Sequence, residues 1–463
     1  MKKYFFLAAL LLALVLGAPA VIGVKAEARY RLVIDRIHQS GLSVESHDYE
    51  RGWFGSTATT GIVFTAPEGS SATVVKPDTR RLILRSRISH GPLVSTGLGL
   101  AEIDSEVEFG DKAIFPPDYP AEFHTLVDLN GKGETRVNLP ALKISGLVEK
   151  ENLDFGGISG QIEFDTAHGD MEIRLLLKSL GVSDGGQSLV EVGETQLNTD
   201  SRTGVSGLML GDASFQVKRL MLIDRESGDQ LVMHELAIDL ESSEESEQVS
   251  VVASYSLGRV EAGDDVYGPG LVRVEFSRIS GPVLVRLQQA VAEIEGQKMS
   301  EAQRGMALLG VVMNIGSDLL KNDPAIAIKP LRLVTPDGTV QGELSLRGDG
   351  LSLTDVSNIP VLVSKLVADL SLRMPEKLFR RMLIQQTRLK MERQIAAMID
   401  QGGEPPELDA GKLQQLVEKQ VDGQLIQLVS QKIVERDGDD LATVASLSSG
   451  ILTVNGKSIP LPW

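Results

Sequence analysis

Between Gly41 and Gly281 the chain is patterned mainly with period two. The clearest run is Ala101–Phe109, in which Ala101, Ile103, Val107 and Phe109 alternate with Glu102, Asp104, Glu106 and Glu108. Successive strand side chains point to opposite faces, so this run predicts a half-buried antiparallel strand with a solvated acidic face. Met171–Leu175, Leu236–Leu240 (interrupted at Ala237 and Asp239) and Val272–Phe276 repeat the alternation. Asn130-Gly131, Asp184-Gly185-Gly186 and Asp337-Gly338 supply tight-turn chemistry between such runs. Short strands punctuated this way predict a large antiparallel sheet system, not a doubly wound α/β fold.

Helical spacing appears elsewhere. Ala26–His38 is helix-compatible, with Leu32, Val33, Arg36 and Ile37 on one side and Gly41 closing it. Near Gly281 the character changes: Val283–Glu295 and Ser300–Leu320 predict two amphipathic helices. Ala325–Val334 and Val340–Arg347 then predict a hairpin, and Val367–Arg373 a further strand. Pro375 opens a helix to about Asp400. Leu413, Leu416, Val417, Val421, Leu425, Leu428 and Val429 mark a second long helix after the Gly402–Pro406 loop. The stripes of these two helices are expected to cover the sheet; a dimer seam or the lining of an apolar cavity for lipid are the alternatives. Asn455-Gly456 sets a last hairpin between Ile451–Val454 and Lys457–Leu461. The expected fold class is α+β: a predominantly antiparallel β-sheet, elongated or curved, with an N-terminal membrane helix and amphipathic helices in the C-terminal half. Three regions follow: an anchor over 1–25, a β-rich periplasmic region over 26–280 and an α+β region over 281–463.

The anchor rests on hydropathy. Tyr4–Val24 runs 21 residues without a charge behind Lys2 and Lys3. A secretory signal carries an apolar stretch of about 7–15 residues, and a spanning helix needs about 20. Length and the basic start therefore predict an uncleaved, single-pass inner-membrane helix with the bulk of the chain in the periplasm. Ala18-Pro19-Ala20 resembles a small-residue cleavage site, and Lys25, Arg29 and Arg31 weaken the charge asymmetry. A cleaved signal is thus the competing reading.

Composition narrows the function classes. Lys and Arg total 46 against 63 Asp and Glu, a net charge of −17. Without a basic stretch interleaved with aromatics, nucleic acid is not an expected partner. The absence of cysteine removes disulfides, thiol nucleophiles and Cys-ligated metals. Aromatics are 4% of residues, so the core is aliphatic.

Candidate chemistry is sparse. Tyr49, Arg51, Trp53 and Phe54 lie beside Gly52 and Gly55 and, with His90, form a candidate recognition surface. The plainer reading is a tight turn into a strand, with the rings covering a sheet edge. His90 before Gly91-Pro92 reads as a strand-terminating corner. His38, His47, His90, His124, His168 and His234 are scattered without metal-ligand spacing. His234-Glu235 begins like a zincin motif, yet Ile238 stands where the second histidine belongs. Gly97-Leu98-Gly99 lacks the third glycine of a dinucleotide loop, and no nucleophile elbow or P-loop is present. No catalytic residue, metal site or cofactor is expected. Ser86–Pro92 is echoed by Ser277–Pro282, which allows a duplication or shared strand-end chemistry.

Several local runs together carry a resemblance. They are the N-terminal apolar segment, Tyr49–Ser56, Ile88–Pro92, Val334–Gly342, Leu372–Glu376 and Leu452–Lys457. In this order they resemble the YdgA/YihF-like family of uncharacterised bacterial envelope proteins, nearly end to end. The resemblance implies an exported, inner-membrane-associated protein of Gram-negative bacteria with no established enzymatic activity. The expected function is a non-catalytic scaffold or binding module for a hydrophobic ligand such as lipid, or for an envelope protein. A hydrolase acting on an envelope substrate and a purely structural homo-oligomer are the alternatives.

Overall fold

A computed structural model describes residues 18–28, 30–31, 43–65, 79–109, 115–116, 118–146, 151–225, 227–295, 299–352, 354–355, 358–400 and 410–461. Residues 18–28 and 30–31 form helix α1; residues 4–17 of the expected anchor and 32–38 of the expected first helix lie outside the described residues. Among the described residues no helix is long and apolar enough to cross a membrane. The chain divides into two compact units: unit 1 holds residues 1–232, 237–247 and 281–315, and unit 2 holds 233–236, 248–280 and 316–463.

Unit 1 is an antiparallel meander. Its strands are β1 (Ser43–Arg51), β2 (Gly55–Thr65), β3 (Thr79–His90), the small β4–β5 hairpin (Leu93–Val94, Gly97–Leu98), β6 (Ala101–Phe109) and β7 (Glu122–Val127). There follow β8 (Lys132–Leu139), β9 (Leu142–Ser145), β10 (Glu151–Phe155), β11 (Ile158–Asp165), β12 (Met171–Leu177), β13 (Leu180–Asp184), β14 (Gln187–Val192), β15 (Thr195–Thr203) and β16 (Met209–Ile223). β1, β2, β3, β6, β7 and β8 pair in that order, each with the next. The alternation of Ala101–Phe109 thus forms β6, and Asn130-Gly131 turns β7 into β8. One detail differs: Glu102 is buried, its carboxylate accepting the Ser95 backbone N–H (2.7 Å) and hydroxyl (2.6 Å).

From β8 onward the strands share a break on one line. β8 and β9 pair with β11 and β10, these with β12 and β13, these with β15 and β14, and both of the last with β16. Between the paired segments sit Pro140-Ala141, Gly156-Gly157, Lys178-Ser179 and Gly193-Glu194, and Lys218-Arg219 lies opposite within β16. Backbone bonds carry the ladder through the break: Gly156 N–H to Ser179 O (2.9 Å), Lys178 N–H to Gly157 O (3.1 Å) and Gly193 N–H to Arg219 O (2.7 Å). The register runs unbroken through these residue pairs, yet Leu139 and Leu142, Phe155 and Ile158, and Leu177 and Leu180 meet in one cluster, so the sheet turns a corner there. Gly157 has φ +95°, and a Cβ there would meet Leu139 O at 2.8 Å, so this corner requires glycine.

Unit 2 repeats the plan. β17 (Gln230–Glu245) contributes residues to both units. β18 (Gln248–Ala262), the short β19 (Asp265–Tyr267), β20 (Gly270–Ser280), β21 (Ala325–Thr335), β22 (Gly338–Gly348), β23 (Leu366–Pro375), β24 (Glu435–Asp437), β25 (Asp440–Ser448), β26 (Ile451–Val454) and β27 (Lys457–Ile459) are its strands. β18, β20, β21, β22, β23, β25, β26 and β27 pair in that order. Along the sequence, helices α2 (Gly281–Glu295) and α3 (Glu301–Leu320), which belong to unit 1 as far as Ile315, separate β20 from β21; α4 (Ile359–Ser364) is short; α5 (Glu376–Asp400) and α6 (Ala410–Ser430) separate β23 from β25. α2, α3, α5 and α6 are the helices the spacing predicts; α4 is not among them. α6 buries Val417, Val421 and Leu425, one turn apart, and Asp422 is paired with Arg380 of α5 at 2.8 Å. α5 and α6 therefore pack as a helical pair, while the apolar residues of α5 are spread around its circumference. The Ser86–Pro92 and Ser277–Pro282 echo ends a strand both times, but the first continues into β4 and the second opens α2.

Candidate functional site

The most extensive feature of unit 1 is the apolar face of its bent sheet. Cross-strand partners project to the same side, so paired rows define each face. One row is Leu142, Phe155, Leu180, Val192 and Leu220. Across the bend the next is Leu139, Ile158, Leu177, Thr195 and Val217. A third is Val137, Gly160, Leu175, Leu197 and Phe215.

Part of this face is covered. Phe115, Tyr119 and Ala121, between β6 and β7, pack with Val107 and Phe155, and Leu139, Leu142, Ile158, Leu177 and Leu180 close around them. Phe115 meets Phe155 edge-on at 5.2 Å and Tyr119 at 4.8 Å. Residues from both sides of the break thus converge on one cluster, and the sheet bends toward its apolar side. Toward β16 the cover ends. Phe215 and Met171 on the same face stay more than a third exposed. Isolated exposed apolar residues need no explanation, but a continuous row on one face does.

The opposite face is charged. Glu134, Glu163, Glu172, Asp200 and Asp212 stand directly across from one another over five strands. Such like-charge neighbours repel. Arg136 pairs with Glu134 at 2.9 Å, Arg174 with both Glu163 and Glu172, and Arg202 with Asp200 at 3.5 Å. An open hollow along these strands is lined by Arg136, Gln161 and Arg174 among others. All three already bond to Glu134, Glu163 or Glu172, so none is free for a substrate. Unit 2 shows the same division: Ala253, Val274, Ile328, Leu344, Leu370, Ala445 and Val454 form one row, with Phe276 and Tyr255 on that face exposed.

The candidate recognition residues gather at one end of unit 1 and divide there. Trp53 and Phe54 occupy the β1–β2 turn and are exposed. Arg51 is paired with Glu27 of α1 at 3.0 Å. Tyr49 stacks at a tilt on Tyr30 of α1, 5.2 Å away, and burial pushes its hydroxyl pKa up. His90 is buried, its Nε2 2.9 Å from Ser56 Oγ and its ring against Gly23 of α1. Ser56 and His90 have the reach of a nucleophile–base pair. Both are buried against α1, and among the described residues no carboxylate bonds the ring, whose Nδ1 has no well-aligned hydrogen bond. Elsewhere His124 lies between Asp104 (2.7 Å) and Glu102 (3.7 Å), and among the described residues no His, Asp and Glu group is arranged to hold a metal.

Burial holds the His90 imidazole below the ordinary histidine pKa, opposed by the Trp53 and Pro19 carbonyls and reinforced by the Arg51 charge. The unfolded chain takes up this proton near pH 6.5, before the folded one does. Stability is therefore full above that pH and lost as pH falls through it toward the lower folded value. His168, exposed and raised by Asp165, works with the opposite sign. Thermal unfolding is expected at a lower midpoint at about pH 5.5 than at about pH 7.5. His90→Asn should flatten that difference; an unchanged pH slope would remove His90 as its source.

The rows could be found only by pairing strands, because the two-residue break shifts the alternation in each. No curated protein and no solved structure matches the chain. The family described as bacterial protein of unknown function, DUF945, matches residues 1–462, and the chain belongs to that family.

Proposed function

We propose that the chain is a non-catalytic protein of the Gram-negative envelope, anchored in the inner membrane through its uncharged N-terminal segment, that holds lipid acyl chains against the apolar faces of its periplasmic sheets. The observation that carries this reading is the unit 1 face on which Leu175, Leu197 and Phe215 continue a buried row out into solvent exposure. Its dimensions suit such a ligand. Neighbouring strands lie about 4.8 Å apart, so the five strand lines from β8 to β16 span about 19 Å. One leaflet's acyl chains occupy about 15 Å, half of a hydrocarbon core. The charged rows on the other face keep it in water. Supporting export and retention are the uncharged length of Tyr4–Val24 and the resemblance to the YdgA/YihF-like envelope proteins.

The test is native mass spectrometry of the full chain released from membranes in mild detergent. Bound phospholipid or fatty acid surviving removal of the detergent is expected. A lipid-free spectrum, with exogenous lipid failing to add, would sink the reading.

A further inference from the structure

The end of unit 1 where α1, the β1–β2 turn and the β4–β5 hairpin meet exposes more apolar surface than turns ordinarily do. Trp53 is 60% exposed, Phe54 58%, Leu93 61% and Leu98 67%. Turn tips usually carry Gly, Asn, Asp and Ser. These four residues come from two separate turns, and backbone bonds hold both turns to the same sheet end. Gly55 pairs with Ser89 and the His90 N–H donates to Phe54 O at 2.8 Å, fixing the first turn beside the end of β3. Leu93 pairs with Leu98, and Gly91 N–H donates to Leu100 O at 2.8 Å, fixing the second just beyond it.

α1 belongs to this end as well. A Cβ on Gly23 would come within 2.5 Å of the His90 ring, and the Tyr30 hydroxyl lies 2.7 Å from Thr60 Oγ1. Val21 and Val24 nonetheless stay more than half exposed on α1. Immediately before α1 the sequence is the uncharged run Tyr4–Gly17. Two exposed apolar tips therefore sit beside the point where that run joins the folded unit. Lys25 and Arg31 follow on α1, and Arg51 stands beside Trp53.

We propose that this end of unit 1 rests on the surface of a lipid bilayer, with Trp53, Phe54, Leu93 and Leu98 seated in its interfacial layer. Tryptophan favours that layer because its ring is apolar and its N–H polar, and leucine and phenylalanine reach just below it. Lys25 is placed to meet a lipid phosphate, while Arg31 and Arg51 are held by Glu27. The bilayer is favoured over a protein partner by its continuity with the apolar run that enters at the same place. The proposal rests on the anchored reading above and adds a fixed orientation to it: α1 and the two tips together make a multi-point contact, not a tether.

The chain has two tryptophans, Trp53 and Trp463, so Trp463→Phe leaves Trp53 as the sole reporter. The full-length variant is placed in phosphatidylcholine nanodiscs made with or without acyl-chain bromine. The expected result is blue-shifted Trp53 emission, reduced about twofold or more by brominated lipid and barely touched by aqueous iodide, as for an interfacial indole. Adding Leu93→Ser and Leu98→Ser, both at exposed positions, should shift the emission red and raise iodide quenching. Emission that iodide quenches and bromine does not would overturn the seating. So would blue-shifted emission indifferent to both, which means protein covers the tip. Alkaline carbonate extraction separates the two claims. Loss of the full chain from the membrane overturns the anchor and the seating together; retention with a water-exposed Trp53 overturns the seating alone.

Discussion

Replacing Phe155 with alanine is expected to destabilise unit 1 by about 3–5 kcal/mol, the range for removing a fully buried aromatic ring. Phe155 is 4% exposed and lies at the break in the sheet, between Leu142 and Leu180 in its own row. Phe115 packs on it edge-on and Tyr119 packs on Phe115, with the Tyr119 hydroxyl bonded to Pro140 O at the same break. Removing the ring leaves a cavity that bent, paired strands cannot close, so most of the loss should persist. Phe215→Ala provides the contrast. It removes the same ring from the same face, but Phe215 is already more than a third exposed, and about 1 kcal/mol is expected. Urea unfolding of the two variants measures both; equal losses would mean that Phe155 is not the point where the bend is held.

The second large effect concerns the ligand. Leu197→Asp with Phe215→Asp places two carboxylates on the open part of the apolar row, where an acyl chain would have to desolvate them. Lipid recovered with the protein is expected to fall at least about tenfold, a loss of only about 1.4 kcal/mol of binding. Gln196→Asp with Gln216→Asp puts the same charges on the same two strands facing the other way, and should leave bound lipid unchanged. Both positions of the first pair are half-exposed, so circular dichroism should show the fold retained. Equal lipid loss in the two double variants would indicate an effect of charge alone and not of the face.

Much of the architecture is legible in the residues themselves. Ala101–Phe109 has clean alternation and forms β6 with those bounds; Asn130-Gly131, Asp184-Gly185-Gly186, Asp337-Gly338 and Asn455-Gly456 each join two paired strands. The helices after Gly281 follow their apolar spacing to within a few residues. What could not be read has a physical cause. The common break at Pro140, Gly156, Lys178 and Gly193 depends on strand register, which no single strand carries. Its only local sign is the Gly156-Gly157 pair. Glu102 sits on the acidic side of β6, yet it is buried because Ser95, from the neighbouring connection, folds over it. The stripe on α6 is visible in the spacing, and Val417, Val421 and Leu425 are its buried positions, but the pairing of α6 with α5 is not. The candidate recognition patch is legible as a group of residues, while its division into buried His90, half-buried Tyr49 and exposed Trp53 and Phe54 depends on where α1 lies.

The most direct measurement is photo-cross-linking in living cells with a benzophenone side chain placed at Phe215 or, separately, at Gln216. These neighbours on β16 project to opposite faces of one sheet. Irradiation is expected to give a lipid adduct at position 215 and none at position 216. Lipid adducts at neither position, or equally at both, would contradict an acyl chain held on the apolar face.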